Sequence, residues 1–347
     1  MTPLQRRIVD IIRRDGPISV ETYMALCLGD PAHGYYMTRD PLGPGGDFTT
    51  SPEISQMFGE MIGVWIATAW GAMGAPPKFS LVELGPGRGA LMADALRALR
   101  AAPDCLAAAH VELVEISPVL REKQRAALAS APAPVVWRDG VEQTADGPFI
   151  LVANEFFDAL PIRQCVRRDG ETRERRIACD ADGALIFADD GGAISETCPA
   201  GEDVTRSIAA RLVKAPGAAL IIDYGHAGDG EGDTLQAMRA HAFVDPLASP
   251  GECDITAHVN FGALLAIARA GGAATQGPVS QADYLRAMGI ETRAAMLAKR
   301  ADDRQKLALA SALARLTDVK NARAMGALFK AIALRSPGLP PMPGFDR

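Results

Sequence analysis

Residues 79–99, FSLVELGPGRGALMADALRAL, constrain the fold more than any other stretch of the chain. An apolar run, Phe79 to Val82, ends in Glu83. Gly85-Pro86-Gly87-Arg88-Gly89 then turns the chain, and Leu91, Met92, Ala95, Leu96 and Leu99 recur at helical spacing. Strand, tight glycine turn and helix form the opening unit of a nucleotide-type α/β sheet, where backbone approaches a ligand too closely for a side chain. Gly85, Gly87 and Ala90 also fit the dinucleotide fingerprint G-x-G-x-x-G/A. Glu83 argues against that ligand, because a carboxylate at the strand tip would face a pyrophosphate with like charge. A cationic ligand suits it.

At 347 residues the chain is long for one core, so one α/β domain with an appended segment is expected. A net charge of −6 argues against a nucleic-acid binder, which needs a basic face. The six cysteines (27, 105, 165, 179, 198 and 253) lack C-x-x-C pairs, which points to free thiols and no zinc site. His226, His241 and His258 fall near Cys253 without ligand spacing, so no metal is expected. No run reaches the ~18 apolar residues of a membrane span. The arginines at 6, 7, 13 and 14 are interrupted by Asp10 and Asp15 and lead into no apolar signal core, so a cytoplasmic location is expected.

Taken in order, residues 4–14 and 16–29 read as helices. A Gly/Pro loop, Pro41 to Gly46, leads through Asp47-Phe48-Thr49-Thr50 to a helix start with Ser51 as N-cap and Pro52 in the first turn. That helix continues to Trp65, and the loop before it reads either as a lid over the cofactor or as a surface loop that only connects helices. VELVE (111–115) is the second strand; Glu115 at its tip suits two ribose hydroxyls. The third, APVVWRDG (133–140), ends at Asp139. PFILVANEFFDALP (148–161) carries a buried parallel strand with Asn154, Glu155 and Asp158 at its carboxyl end, the place where open parallel sheets bind substrate. Two carboxylates and an amide beside aromatics suit a planar cation. Residues 163–190 read as an inserted hairpin around Asp169-Gly170, and 217–225 as a fifth strand ending in Asp223-Tyr224. Residues 225–257 read as a loop-rich insertion for substrate recognition. Asp254 or Thr256 is expected to cap a helix from His258 to Ala270. Two further strands, 271–280 and 327–336, precede a flexible tail, 337–347.

Glu83, Gly85, Gly87 and Gly89 match E-x-G-x-G-x-G, and the chain thereby resembles class I S-adenosylmethionine (SAM) methyltransferases. With Glu115, NEFFDALP, IDYG, DITAHVNF and GDFTTSPEISQMFGE added, it resembles the MidA-like family, over nearly its whole length. That resemblance implies an α/β fold: a Rossmann-like class I SAM-methyltransferase sheet over 77–336, with an N-terminal helical cap and lid (1–76) and inserted hairpin and loop segments. It implies SAM as cofactor, held by Glu83, Gly85, Pro86, Gly87, Gly89, Glu115, Asp139 (at the adenine amine, unless it is a plain loop acid) and Asn154. It implies methylation of a protein arginine, on the 49-kDa-type subunit of the respiratory NADH dehydrogenase, in the assembly of complex I. Oligomeric state, a homodimer included, stays open. A guanidinium is protonated up to a pKa of roughly 12 or more; Glu155 is expected to grip it, Asp158 to assist, and His258 to accept a proton. Phe48, Asp223 and Tyr224 are expected to contact substrate. A small-molecule methyltransferase and a SAM-fold assembly chaperone without turnover are the alternatives.

Overall fold

The computed structural model of the chain describes residues 1–347 apart from 42, 44, 45, 189, 190, 229–231, 322, 346 and 347. Parts of the Pro41 to Gly46 loop, both insertions and the last two tail residues thus lie outside the described residues. The backbone of the fold is a sheet of seven long strands: β1 (Phe79–Leu84), β2 (Ala109–Val114), β3 (Val135–Arg138), β4 (Phe149–Asn154), β5 (Gly217–His226), β6 (Ala274–Ser280) and β7 (Phe329–Arg335). They lie in the order β6-β7-β5-β4-β1-β2-β3, and Val259–Asn260 adds a short parallel pairing at the end of β5. β7 is antiparallel to both β5 and β6; the other long pairings are parallel. Every residue of β1 and β4 is buried, as expected of strands covered by helices on both faces.

The chain moves outward from β1 through β2 and β3, then returns to lay β4 and β5 on the other side of β1. That reversal opens a crevice beyond the carboxyl ends of β1 and β4, where ligands of such sheets bind. Register carries the acids there together: Leu84 pairs with Ala153 on one side and Val114 on the other, so Glu83, Glu115 and Asn154 share one rim.

Several local expectations are corrected. Ser51 opens only a four-residue helix (Ser51–Ile54). The chain then breaks at Ser55, whose Oγ accepts the Met57 N–H and caps the long 56–72 helix. The hairpin around Asp169-Gly170 forms, with both residues at positive φ (51° and 83°). It is only part of the insertion: 193–197 pairs back onto 163–168, and 176–179 with 185–187 forms a second sheet that takes in Ile18–Ser19. The loop-rich 225–257 segment contains a three-stranded antiparallel sheet, Gln236–Arg239, Ala242–Val244 and Asp254–Thr256. Asp254 and Thr256 are therefore strand residues; Asn260 caps the 261–270 helix through Oδ1 on the Ala263 N–H. Residues 337–345 of the expected tail lie on the fold, with Met342 fully covered and the Phe345 ring 5.5 Å from that of Tyr284.

Each face of the sheet has its own apolar core. A third core joins the two N-terminal helices to the inserted sheets, and contains Leu4, Ile8, Tyr23, Ile177, Leu185 and Ile255.

Candidate active site

A cavity of about 510 Å³ occupies the crevice. Its floor is the glycine turn. Gly85 and Gly87 have φ of 60° and 53°, and a Cβ on Gly85 would sit 2.8 Å from Phe156 Cδ2, so the turn requires glycine there on both counts. Gly85, Pro86 and Gly87 line the cavity; Gly89 does not. Gly89 starts the 90–98 helix at φ 85°, left-handed backbone that favours glycine; a Cβ there would make only ordinary contact with Gln124 and Ala127 at 3.4 Å.

Glu83 is 3% exposed, and its Oε2 has no hydrogen-bond partner among the described residues. Burial, then the charge of Glu115, pushes its pKa up to about 8. Glu115 accepts the Ser117 N–H at 2.8 Å on Oε1 and the Gln124 amide at 3.1 Å on Oε2; burial raises its pKa too. The same Gln124 amide donates to the Gly87 carbonyl at 2.8 Å, which ties the 118–127 helix to the turn. Asp139 lines the cavity from its edge, exposed and paired with Arg121 at 2.6 Å. Asn154 gives its amide to Glu155 Oε1 at 3.0 Å and keeps a buried Oδ1 with no partner among the described residues.

The loop after β4 is built around its acids. Glu155 adopts φ 51°, unfavourable for a side-chain-bearing residue, and its N–H donates to the Ile222 carbonyl at 2.9 Å. Its Oε1 also accepts the Ser51 N–H at 2.8 Å. Burial, followed by Asp158, lifts its pKa to about 7, against the pull of the Ser51 N–H. Asp158 is buried with Oδ1 unpartnered; burial lifts it to about 6, and the Tyr224 hydroxyl pulls it down. Both acids line the cavity, as does Phe48.

The remaining expected residues stand elsewhere. Asp223, expected to contact substrate, is fully buried behind the 155–158 loop, with its carboxylate taken up by backbone N–H groups. Tyr224 lies outside the cavity wall, its ring 5.4 Å from Phe329. His258 stands edge-on to Tyr224 at 5.6 Å, also off the wall, and burial lowers its pKa. His258, expected to accept a proton, is thus not among the residues that line the cavity.

Other residues complete the wall without a signal in any motif. Tyr36 lines the cavity and donates its hydroxyl to Asp254 Oδ1 at 2.8 Å. Burial, then Asp158, pushes Asp254 up to about 8, with the Tyr36 hydroxyl working against it. Arg88 of the glycine turn bridges to Asp40 (3.2 Å) and Glu53 (3.4 Å), which straps the N-terminal segment over the site. Seven carboxylate residues line this cavity (Glu53, Glu83, Glu115, Asp139, Glu142, Glu155, Asp158) against one cation, Arg88. Among the described residues no cluster of His, Cys, Asp and Glu could hold a metal ion, and no helix is long and apolar enough to cross a membrane.

Comparison with known proteins agrees with this geometry. The S-adenosyl-L-methionine-dependent methyltransferase family matches residues 61–192 and 183–279. The mouse mitochondrial protein arginine methyltransferase NDUFAF7 is 36% identical over 341 residues, covering 87% of this chain and 78% of its own. Its human counterpart is 34% identical, with 96% and 83% covered. A crystal structure of a COG1565 superfamily member from Burkholderia thailandensis, bound to S-adenosyl-homocysteine, superposes with a TM-score of 0.85 at 30% identity, over 98% of this chain and 93% of that one. The cytoplasmic location expected from the N-terminal residues is overturned by these relatives, which are named as mitochondrial proteins.

Proposed function

Because the chain belongs to the S-adenosyl-L-methionine-dependent methyltransferase family that includes the mitochondrial protein arginine methyltransferases, we propose that its acceptor is an arginine side chain of a protein, on a 49-kDa-type subunit of respiratory NADH dehydrogenase. The chain is a methyltransferase and its cofactor is SAM. The residues fit that cofactor: glycine-only backbone forms the floor, Glu83 presents a buried, unpartnered oxygen to a cationic group, and Glu115 stands one strand over for hydroxyls. Bound SAM supplies an electrophilic methyl group on a sulfonium.

The observation that carries the arginine reading is the pair Glu155 and Asp158 on the same cavity wall, the first half-buried and the second buried, both with raised proton affinity. Uncompensated buried acids are costly, and a guanidinium offers planar donors that satisfy two carboxylates at once. Glu155 Oε1 is occupied by Ser51 and Asn154, which leaves Oε2 for the acceptor. These acids hold one guanidinium nitrogen on the transfer axis and keep the positive charge on the other two. As the nitrogen–carbon bond forms and the carbon–sulfur bond breaks, the nitrogen sheds a proton. Glu155, whose proton affinity burial raises, stands where it can take that proton.

The test is Glu155→Gln. SAM binding by calorimetry is expected to stay within a few-fold, while transfer of labelled methyl to the 49-kDa-type subunit falls by about 10²-fold or more. Unchanged turnover would remove Glu155 from the reaction.

A further inference from the structure

Three consecutive backbone N–H groups, those of Phe156, Phe157 and Asp158, converge on one oxygen, Asp223 Oδ2, at 3.1, 2.9 and 3.2 Å. Asp223 Oδ1 accepts the Tyr224 N–H at 2.9 Å. Convergent N–H groups of this kind make a concavity for an anion. Here the acceptor is an internal carboxyl group at the end of β5, fully buried and off the cavity wall; burial, then Asp158 and Glu155, raise its proton affinity, and the N–H groups it collects pull the other way. The loop it gathers starts at Glu155, held at φ 51°, and ends at Asp158, whose carbonyl accepts the Ala257 N–H at 3.0 Å. Left-handed backbone at a non-glycine residue persists only where surrounding bonds over-determine it, and it collects at functional sites.

We propose that Asp223 is a positioning residue for methyl transfer: by collecting the N–H groups of 156–158 it fixes the loop that aims Glu155 and Asp158 into the cavity. This rests on the reading that those two acids grip the acceptor. Asp223 touches neither cofactor nor acceptor and acts through the loop. Its reach ends there, since Glu83 lies in β1 and Glu115 follows β2, where Ser117 and Gln124 hold it instead. The signature of the role is therefore a split between two halves of one cavity, with cofactor affinity kept and transfer lost.

The experiment uses Asp223→Asn in the full chain, with Glu155→Gln beside it. Both carboxyl oxygens of Asp223 accept N–H groups, whereas the amide keeps one acceptor oxygen and turns the other position into an NH2 donor that cannot accept them. Calorimetry is expected to give one SAM per chain with a Kd within about threefold of wild type. The transfer rate to the 49-kDa-type subunit is expected to fall at least tenfold, with the KM for SAM unmoved. A wild-type rate, or loss of SAM affinity in proportion to rate, overturns the positioning role. An active Glu155→Gln instead removes the grip itself, so the two failures are distinct. Hydrogen exchange on the ligand-free wild-type chain is the second measurement, and needs no variant to fold. The amides of 156–158 are expected to be protected before any ligand is added. Free exchange that slows only with SAM or acceptor present would mean that the concavity awaits a ligand, and would overturn the assignment.

Discussion

Replacing Glu83 by Gln separates what the ligand-free fold tolerates from what the cofactor requires. Burial and Glu115 raise the Glu83 pKa from 4.5 to about 8. For an acid raised on folding, the folded chain holds a proton that the unfolded chain releases. Stability is then fully present below pH 4.5, falls as pH rises, and levels off above pH 8. Each pH unit in that window costs about 1.4 kcal/mol, a ceiling of roughly 5 kcal/mol. Relaxation and water entry bring a buried carboxyl well below that ceiling, to about 2 kcal/mol. Gln cannot ionise, so ligand-free Glu83→Gln should exceed wild type in stability above pH 8 and lose that advantage toward pH 5. With about 2.1 cal/mol/K of unfolding entropy per residue, 2 kcal/mol corresponds to roughly 3 °C in Tm for a chain of this length. The same variant should bind SAM about 10- to 150-fold more weakly, the worth of one charge-assisted hydrogen bond. Thermal scans from pH 5 to 9 and calorimetry with SAM read both effects. A Tm difference that stays flat with pH, or unchanged SAM affinity, would refute the reasoning.

Two more outcomes follow from the same geometry. Gly85→Ala places a Cβ against Phe156 at a φ of 60°; it should lower stability by about 1–2 kcal/mol and weaken SAM binding, read by denaturant unfolding and calorimetry. Tyr36→Phe removes the hydroxyl on Asp254, pushing that acid further above about 8. It should destabilise the chain by about 1–3 kcal/mol, and cut methyl transfer more than SAM affinity, as an assay at saturating SAM would show.

The acids at the strand tips were legible because parallel topology fixes their place. Once strands of the right length alternate with helices, Glu83, Glu115 and Glu155 must fall at one edge. Asp223 looked like another member of that set. Only the convergence of three N–H groups from a loop far away in sequence turns it inward, and no spacing encodes that. Tyr36, Ser51 and Asp254 escaped for a related reason: each reaches the site from a loop or a three- to four-residue element, too short for any period to register. The 236–256 sheet was hidden likewise, since strands of three and four residues between glycines look like loop. Gly89 matched its motif by spacing, and the structure sets it at the helix start, outside the residues that line the cavity.

The third apolar core has a consequence for where this molecule can be cut. A boundary at 76/77 looks natural along the chain, yet Leu4, Ile8 and Tyr23 on one side share their interior with Ile177, Leu185 and Ile255 on the other. A fragment beginning at 77 would keep every residue of the glycine turn and the acids Glu155 and Asp158. It would also carry a bare oily surface and a cavity open to water on the side that Tyr36 and Phe48 close. The leading helices are thus the missing half of the inserted sheets, and the two are one structural unit written in separate places.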